Sequence, residues 1–408
     1  MFKSKLKTIV HLSELKNAAA LKCKSWGLIW CSALLLCLHV VTAQGGTNSK
    51  YWTNAQAVHN CVVGNFLTSY KSYRIELNSS TTYEWYCVSQ IYADAAMAAY
   101  GDARYVPYMT NAYAWMNHLW DVGNPNGGYF ASANISGSGA GGGKYVDDNS
   151  LAGNVYLDCY AITDGATKTN FLNSAMKCAN WLMFSGQWDT TFGGGFWWDL
   201  TRQNKPTQSN GLAMQLFLRL YQITGQTYYR DWANSVKGWL EAQMYNSHDG
   251  LYVWQITTNG TPNGLKSPVE FTYDNAIMIE ADLLYYQVMT NNAYLAKAQN
   301  VASSLNAKLW NNGYGSYYFN TADGRVNPCW CGWASQSLIK LYQVDKNTNW
   351  LNYAQQNIDY MNSHLRATNI GGYYQFCNMD GSNVTTNQME EVDQAWMQKI
   401  QAVMSNCR

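Results

Sequence analysis

The sequence predicts an all-α fold, an (α/α)6 barrel in which six helix pairs close into a toroid. The chain has 408 residues, 47% of them hydrophobic and 13% charged, so it can bury one large core. Apolar residues recur at helical spacing, as at Leu212, Leu216, Leu220 and Ile223. A motif of two helices and a glycine-aromatic hairpin returns about every sixty residues. Together these observations favour stacked helix pairs over two separate domains.

Five copies of the motif can be recognised. Each contains a helix, a short polar turn, a second helix and a hairpin in which glycine lies beside aromatic residues. The hairpins occupy residues 127–130, 193–198, 249–252, 314–318 and 371–374. A helix near Ala55 precedes the first copy and another, at 390–404, follows the last, so their pairing would close the ring. An open solenoid is the alternative arrangement.

The first 43 residues are predicted to be a secretory signal. An apolar run at 26–41 follows six lysines, and Val41-Thr42-Ala43 ends it with small residues suited to cleavage. A retained membrane anchor is the alternative, although the run is short for a span of about 20 residues. We therefore expect a secreted, extracellular protein, with a cell wall as one location outside the cell, and residues 44–408 as a single domain.

The charge of the remaining chain argues against nucleic-acid binding. Residues 1–43 carry six lysines and one glutamate, which leaves 21 basic and 25 acidic residues and a net charge near −4. No basic patch for phosphate contacts remains. Partners are expected to be limited to a substrate, with no membrane contact beyond the signal segment and with the protein acting as a monomer.

Cysteines and glycosylation sequons fit an oxidising compartment. Eight cysteines follow the signal segment, an even number that predicts disulfides whose pairing cannot be deduced: Cys61, Cys87, Cys159, Cys178, Cys329, Cys331, Cys377 and Cys407. The close pair at 329–331 lacks the second pair or histidine of a zinc site, so no metal is expected. Sequons at Asn78, Asn134, Asn259 and Asn383 predict a glycoprotein.

Two adjacent acids, Asp147 and Asp148, are the main candidates for catalysis. They follow a glycine-rich stretch and precede an apolar helical pattern. Carboxylates held close together in a cleft acquire different pKa values, as acid and nucleophile roles require. The structural alternative is that Asp147 is a helix N-cap and Asp148 a first-turn acid. If the first helix of each repeat is the inner one, both acids lie on the rim where the hairpins gather.

Other chemistries fit the sequence poorly. The stretch 137–144 resembles a phosphate-binding loop, but Ser138 and Tyr145 replace the residues that such a loop requires. The histidines outside the signal segment belong to no serine or cysteine nucleophile signature. A carboxylate mechanism remains, and the 18 Trp and 31 Tyr residues suit a sugar cleft, although many of them must fill the core. No cofactor is expected.

Three motifs in order resemble one known family. They are Tyr145-Val146-Asp147-Asp148-Asn149, Gly193-Gly194-Gly195-Phe196-Trp197-Trp198 and Ser209-Asn210-Gly211-Leu212. The set resembles family 76 of the glycoside hydrolases, which contains endo-α-1,6-mannanases and fungal cell-wall transglycosylases, from about Trp52 to the end. The resemblance implies an (α/α)6 barrel and a retaining mechanism on α-1,6-mannan. It assigns Asp147 as the nucleophile and Asp148 as the acid/base.

The resemblance also implies supporting residues. Trp197 and Trp198 are expected to stack on sugar rings, and Asp199, Asn210 and Tyr273 to bind hydroxyl groups. The chain departs from the family pattern at Val146, where an aromatic residue is usual. It departs again at Asp274, where relatives commonly have an amide; this acid is expected either to support the substrate site or to cap a helix.

The sequence therefore predicts a secreted retaining glycoside hydrolase that cleaves α-1,6-mannosidic linkages. Transfer of the sugar to a second glycan is an alternative, because hydrolysis and transfer share one covalent intermediate. A catalytically silent protein that binds carbohydrate or organises a wall is the second alternative. A sugar epimerase on the same barrel is disfavoured, since the predicted rim lacks histidines.

Overall fold

Alternation of outer and inner helices builds a closed ring. The computed structural model describes residues 49–100, 102–259 and 262–407, and in this part of the chain twelve α-helices alternate between two layers. The outer helices are α1 (Ser49–Asn65), α3 (Val106–Trp115), α5 (Gly165–Phe184), α7 (Thr227–Trp239), α9 (Asn292–Leu309) and α11 (Thr348–His364). The inner helices are α2 (Glu84–Tyr100), α4 (Val146–Ala161), α6 (Thr207–Thr224), α8 (Thr272–Met289), α10 (Pro328–Asp345) and α12 (Glu391–Ser405).

The ring is closed by its last helix. Inner helices pack side by side from α2 to α12, and α12 packs against both α1 and α2. This contact excludes the open solenoid and confirms the predicted (α/α)6 barrel. The described residues form one compact unit. The predicted signal segment lies outside the described residues.

Burial separates the two layers. Every residue of α12 is buried, because an inner helix has neighbours on all sides. Outer helix α7 instead buries one stripe, Tyr229, Ala233, Val236 and Trp239, at spacings of three and four residues. An amphipathic helix of this kind presents its apolar stripe to the inner ring and its polar face to solvent. Among the helices in the described residues, none is both long enough and apolar enough to span a bilayer.

Short strands connect the layers. Antiparallel pairs join β1 (Thr81–Tyr83) to β2 (Ser132–Asn134), β4 (Tyr245–Asn246) to β5 (Leu251–Tyr252), β8 (Trp310–Asn311) to β9 (Ser316–Tyr317), β10 (Arg325–Val326) to β13 (Cys377–Asn378) and β11 (Arg366–Ala367) to β12 (Gly372–Tyr373). A three-stranded sheet has the order β3 (Asn204–Pro206), β6 (Gln255–Thr257), β7 (Leu265–Lys266). Single turns of 3₁₀ helix lie at Ala103–Tyr105, Met116–His118 and Thr191–Gly193, and a π turn at Leu240–Met244.

A side-chain amide fastens each of four hairpins to the inner helix that follows it. The amide is the fourth residue of the helix, accepts the N–H of a hairpin aromatic residue and donates to its carbonyl. The pairs are Asn149 with Tyr129, Asn210 with Phe196, Asn275 with Tyr252 and Gln394 with Tyr373. In α2 and α10 the fourth residue is instead Cys87 or Cys331. We call this contact the amide clamp.

Two glycines allow their hairpins to pack closely against outer helices. Gly128 and Gly195 have φ values of +90° and +86°, a region that disfavours residues with a Cβ atom. A Cβ at Gly128 would lie 2.4 Å from the Trp181 ring, and one at Gly195 would lie 2.5 Å from the Trp239 ring. The glycine-aromatic signature of the repeat therefore reflects close packing as well as backbone conformation.

The disulfide prediction is wrong for the described residues. All eight cysteines named above are free thiols, seven of them buried and Cys407 partly exposed. They fill core positions as small apolar side chains, which an even count of cysteines cannot distinguish from paired ones. The sequon residues Asn78, Asn134, Asn259 and Asn383 are all exposed.

Candidate active site

A cleft of about 540 Å³ opens on the face of the ring where the inner helices begin. First turns of five inner helices line it through Trp85, Asp147, Gln208, Tyr273 and Trp330. Connecting segments and α10 add further rings: Tyr83, Tyr145, Trp198, Trp254 and Trp333. The parallel direction of the inner helices thus brings distant parts of the sequence to one aromatic surface.

Asp147 is the second residue of α4. Val146 begins this helix and donates its backbone N–H to the Trp198 carbonyl at 2.8 Å, which fixes the helix start beside the hairpin. The Trp198 Nε1–H group donates to both carboxyl oxygens of Asp147, at 2.9 Å each. Burial raises the pKa of Asp147 to about 6, while the Trp198 hydrogen bond, the first-turn N–H groups and the Gln208 side chain limit that rise.

Asp148 follows in the first turn and has a different environment. Its carboxyl oxygens make no hydrogen bond with the described residues, and they line the cleft. Burial and then the negative charge of Asp147 raise the pKa of Asp148 well above its ordinary value. Neither acid is the helix N-cap, because Tyr145 occupies that position. The two neighbours therefore differ: hydrogen-bond donors favour the charged form of Asp147, whereas burial and the charge of Asp147 favour the protonated form of Asp148.

A third carboxyl group lies beside this pair. Glu84 is the first residue of α2, fully buried, and neither of its oxygens has a hydrogen-bond partner. Burial, and then the charges of Asp148 and Asp147, raise the pKa of Glu84 well above its ordinary value. No motif in the sequence singled out Glu84, because an isolated acid at a helix start has no local signature of a role.

Two predicted substrate residues, Trp198 and Tyr273, do line the cleft. Trp198 packs beside Tyr145 with ring centroids 5.1 Å apart. The ring of Tyr273 lies 4.7 Å from that of Trp330, which in turn lies 5.2 Å from Trp85. These rings offer flat apolar faces at the acids, as a pyranose requires. No substrate role was predicted for Trp85, Trp254, Trp330 or Trp333, although their positions at helix starts or after a hairpin identify them in retrospect.

Three other predicted residues do not line the cleft. Trp197 is buried and donates its Nε1–H to Asp189 at 2.7 Å. The Asp199 carboxylate accepts the backbone N–H of Thr201 at 2.8 Å and so stabilises a turn. The Asn210 amide forms the clamp to Phe196 and also donates to the Pro206 carbonyl at 2.8 Å. Their side chains hold the loop that carries Trp198.

The loop is further held by a buried lysine. The Lys205 side chain is fully buried and donates to Asp189 at 2.8 Å and to the Gly194 carbonyl at 2.7 Å. Partial burial opposes the charge of Asp189, but the hydrogen bonds from Lys205 and from the Trp197 N–H lower its pKa to about 2. The ammonium group also lies 4.4 Å from the centroid of the Trp197 ring. Trp197 therefore anchors the loop through its contacts with Asp189 and Lys205.

Asp274 lies behind the cleft. It is the third residue of α8, fully buried, and neither carboxyl oxygen has a hydrogen-bond partner of normal geometry. Burial raises its pKa well above the ordinary value, and the charge of Asp147 adds to the rise, while the Gln208 backbone N–H opposes it. The helix-cap alternative is not found, because Phe271 is the N-cap of α8.

Metal chemistry has no evident site among the described residues. No group of three or more histidine, cysteine, aspartate or glutamate side chains in this part of the chain could hold a metal ion. The residues that line the cleft include no histidine. The side chains that line the cleft include carboxyl groups, aromatic rings and the amides of Asn204, Gln208 and Gln255.

Solved structures with the same fold include several glycoside hydrolases. A family 76 α-mannanase from Bacteroides thetaiotaomicron is 18% identical and superposes with a TM-score of 0.77 over 87% of this chain and 95% of its own. An inactive α-1,6-mannanase variant from Salegentibacter sp. HEL1_6, with two consecutive aspartates replaced by asparagine, was solved in complex with α-1,6-mannotriose. It is 18% identical, with a TM-score of 0.68 over 87% of this chain and 99% of its own.

The same ring also occurs in an epimerase. Cellobiose 2-epimerase from Bacillus thermoamylovorans is 11% identical, with a TM-score of 0.68 over 85% of this chain and 99% of its own. At these identities the structures show a shared fold and not a shared reaction. No curated protein sequence matches the chain significantly.

A match to a family model identifies a family more specifically than a shared fold does. The model of glycosyl hydrolase family 76 matches residues 50–332, which include the acid pair, four of the five glycine-aromatic hairpins and eight of the twelve helices in full. This match confirms the resemblance carried by the three motifs. The chain belongs to glycosyl hydrolase family 76.

Proposed function

We propose that the protein is a secreted, monomeric, retaining glycoside hydrolase that cleaves α-1,6-mannosidic linkages in mannan. The observation that carries the proposal is the unequal environment of two adjacent acids in an aromatic cleft: Asp147 accepts two contacts from Trp198 Nε1, whereas Asp148 has no such partner. Family membership supports glycoside hydrolysis. The mannotriose complex of the Salegentibacter enzyme supports α-1,6-mannan as the substrate.

The two steps of the proposed reaction follow from the roles of the two acids, with Asp147 as the carboxylate and Asp148 as the proton donor. In the first step the Asp147 carboxylate attacks C1 of the mannosyl residue, the C1–O6 bond breaks, and Asp148 gives its proton to the departing oxygen. In the second step Asp148 takes a proton from water, the water oxygen bonds to C1, and the Asp147 carboxylate leaves. Two inversions at C1 retain the α configuration. A sugar hydroxyl in place of water would give transfer.

Location of the protein outside the cell is part of the proposal. The apolar run at 26–41 and its small-residue end support a signal segment. Exposure of all four sequon asparagines supports glycosylation, because a glycan requires an accessible side chain. Detection of a glycosylated chain that begins near residue 44 in culture medium would support secretion, and an intact chain in the membrane fraction would contradict it.

Variants of the two acids test the reaction. Asp147→Asn and Asp148→Asn should each lower the turnover of α-1,6-mannan oligosaccharides by at least about 10³-fold while leaving the melting temperature near that of the parent. Mass analysis of the products separates hydrolysis, which shortens the chains, from transfer, which also lengthens some of them. An α anomer in the first-formed product, seen by NMR, indicates retention. Activity of both variants at the parent's level contradicts the proposal, and mannan binding without products favours a binding protein.

A further inference from the structure

Gln208 and Asp274, at the starts of α6 and α8, carry buried acceptor atoms that lack hydrogen-bond partners, and both residues lie near Asp147. Gln208, the second residue of α6, directs its side chain at Asp147, yet its Oε1 atom is buried and accepts no hydrogen bond. Asp274, the third residue of α8, faces the backbone N–H of that same Gln208, and both of its oxygens also lack partners. Buried polar atoms in folded proteins are normally hydrogen-bonded, so this pair requires an explanation.

A proton on Asp274 would provide a hydrogen bond between Asp274 and Gln208. An ionised carboxyl group only accepts hydrogen bonds, whereas a protonated one also donates through its O–H. The Gln208 Oε1 atom is an acceptor with no donor, and it belongs to the residue whose backbone faces Asp274. Complete burial disfavours the charged form of Asp274, which agrees with a neutral acid.

We propose that neutral Asp274 donates a hydrogen bond to Gln208 Oε1, so that the Gln208 amide is oriented to donate to Asp147. The two residues would thereby position the nucleophile, a role that rests on the function proposed above. Trp198 donates to Asp147 from the hairpin side, and the Gln208 amide would donate to it from α6. Two donors on different elements restrict the rotation of the carboxylate and favour its anionic form.

The electrostatic surroundings of Asp147 make this arrangement sensitive to charge. The titratable groups that face it are Asp148 on its own helix, Glu84 on α2, Tyr145 in the preceding loop, and Tyr273 and Asp274 on α8. A second anion at the position of Asp274 or Gln208 would repel the Asp147 carboxylate and raise its pKa. Neutrality of Asp274 is thus a condition for an ionised nucleophile.

Four variants test the role of the two residues. Gln208→Leu should lower kcat by about tenfold with KM within about twofold, and should move the acidic limb of the pH–rate profile upward by about one unit. Gln208→Glu should move that limb further. Asp274→Asn, whose amide can still donate to Gln208 Oε1, should keep kcat within about threefold, whereas Asp274→Ala should match Gln208→Leu. Gln356→Leu, on the exposed surface of α11, is the control and should change neither kcat nor the pH–rate profile.

A readout without substrate tests the proton directly. Infrared difference spectra of the parent against Asp274→Asn at neutral pH should contain the C=O stretch of a protonated carboxyl group that this variant lacks. Absence of that band overturns the proposal. Equal kcat and pH limbs in Gln208→Leu and the parent, with Asp147→Asn inactive, also overturn it while the proposed reaction stands. Activity of Asp147→Asn at the parent's level would instead remove the proposed reaction, and the infrared band would still decide the state of Asp274.

Discussion

Trp198 donates its Nε1–H group to both oxygens of Asp147 at 2.9 Å, whereas the preceding Trp197 points the other way and donates to Asp189 at 2.7 Å. One of these neighbouring rings therefore lines the cleft and holds the proposed nucleophile, and the other anchors the loop. The difference between them supports a matched pair of substitutions.

Trp198→Phe keeps an aromatic ring in the cleft and removes the hydrogen-bond donor to Asp147. The pKa of Asp147 should rise above about 6, since a donor to a carboxylate stabilises its charged form. We expect kcat at pH 6 to fall about tenfold and the acidic limb of the pH–rate profile to move upward. Trp197→Phe is the control: kcat should stay within about twofold, with a loss of about 1–3 kcal/mol in unfolding free energy from the unpaired partner. A change in the acidic limb of Trp197→Phe would contradict the division of roles.

The parent enzyme should show a bell-shaped dependence of kcat/KM on pH. The pKa of Asp147 is raised to about 6, so protonation of the nucleophile should reduce the rate as pH falls through about 6. The pKa of Asp148 is raised well above its usual range, so loss of its proton should reduce the rate on the alkaline side. Because the acids interact, the two limbs report macroscopic values of the pair. A rate that stays constant from pH 4 to pH 6 would contradict this assignment.

Asn210→Ala should act mainly on stability. The substitution removes the two hydrogen bonds of the clamp to Phe196 and a third to the Pro206 carbonyl, and it leaves the buried N–H of Phe196 without an acceptor. We expect a loss of about 2–4 kcal/mol in the free energy of unfolding, measured by denaturant titration. Asn170→Ala, on the exposed face of α5, should change it by less than about 0.5 kcal/mol. Equal stabilities of the two variants would show that the clamp contributes little.

Buried acids should make the fold less stable as pH rises. Glu391 is fully buried with both oxygens unpartnered, and burial, followed by the charges of Asp94 and Asp393, raises its pKa well above the ordinary value. Its contribution is complete below about pH 4, the pKa of the unfolded chain, and is lost as pH rises toward the folded-state value. Melting temperatures should therefore fall from pH 5 to pH 8.

Glu391→Gln tests the source of that slope. Glutamine has no proton to lose, so the variant should show a shallower fall of melting temperature between pH 5 and pH 8, with its largest gain over the parent at pH 8. Asp231→Asn, on the exposed surface of α7, should leave the slope of the parent unchanged. A Glu391→Gln slope as steep as that of the parent would assign the pH dependence to other groups.

The repeat made the fold predictable, because its hairpins and helix pairs recur in the sequence with a regular period. The position of Asp147 and Asp148 at the start of the second inner helix followed from that period. Directions of individual side chains did not follow. Nothing in the run of residues 193–198 indicates which tryptophan faces the cleft, since that depends on the contacts of Lys205 and Asp189 across the loop.

The roles of polar residues were the least predictable part of the site. Asn210 resembled a substrate ligand in sequence, but a fourth-residue amide in an inner helix satisfies hairpin backbone groups, and the same contact recurs at Asn149 and Asn275. Recognition of that recurrence in the sequence would have identified the clamp. The buried neighbourhood of Gln208 and Asp274 arises from two helices about sixty residues apart, so neither local pattern nor composition reveals it.

The free thiols of the barrel bear on how the protein can be made. Since none of the eight cysteines is cross-linked, no disulfide among them contributes to the stability of the ring. Residues 44–408 should therefore fold in the reducing cytoplasm of a bacterial host, and a strong reductant should leave the melting temperature of the purified domain unchanged. Assembly of this domain would not depend on the oxidative folding machinery of a secretory compartment.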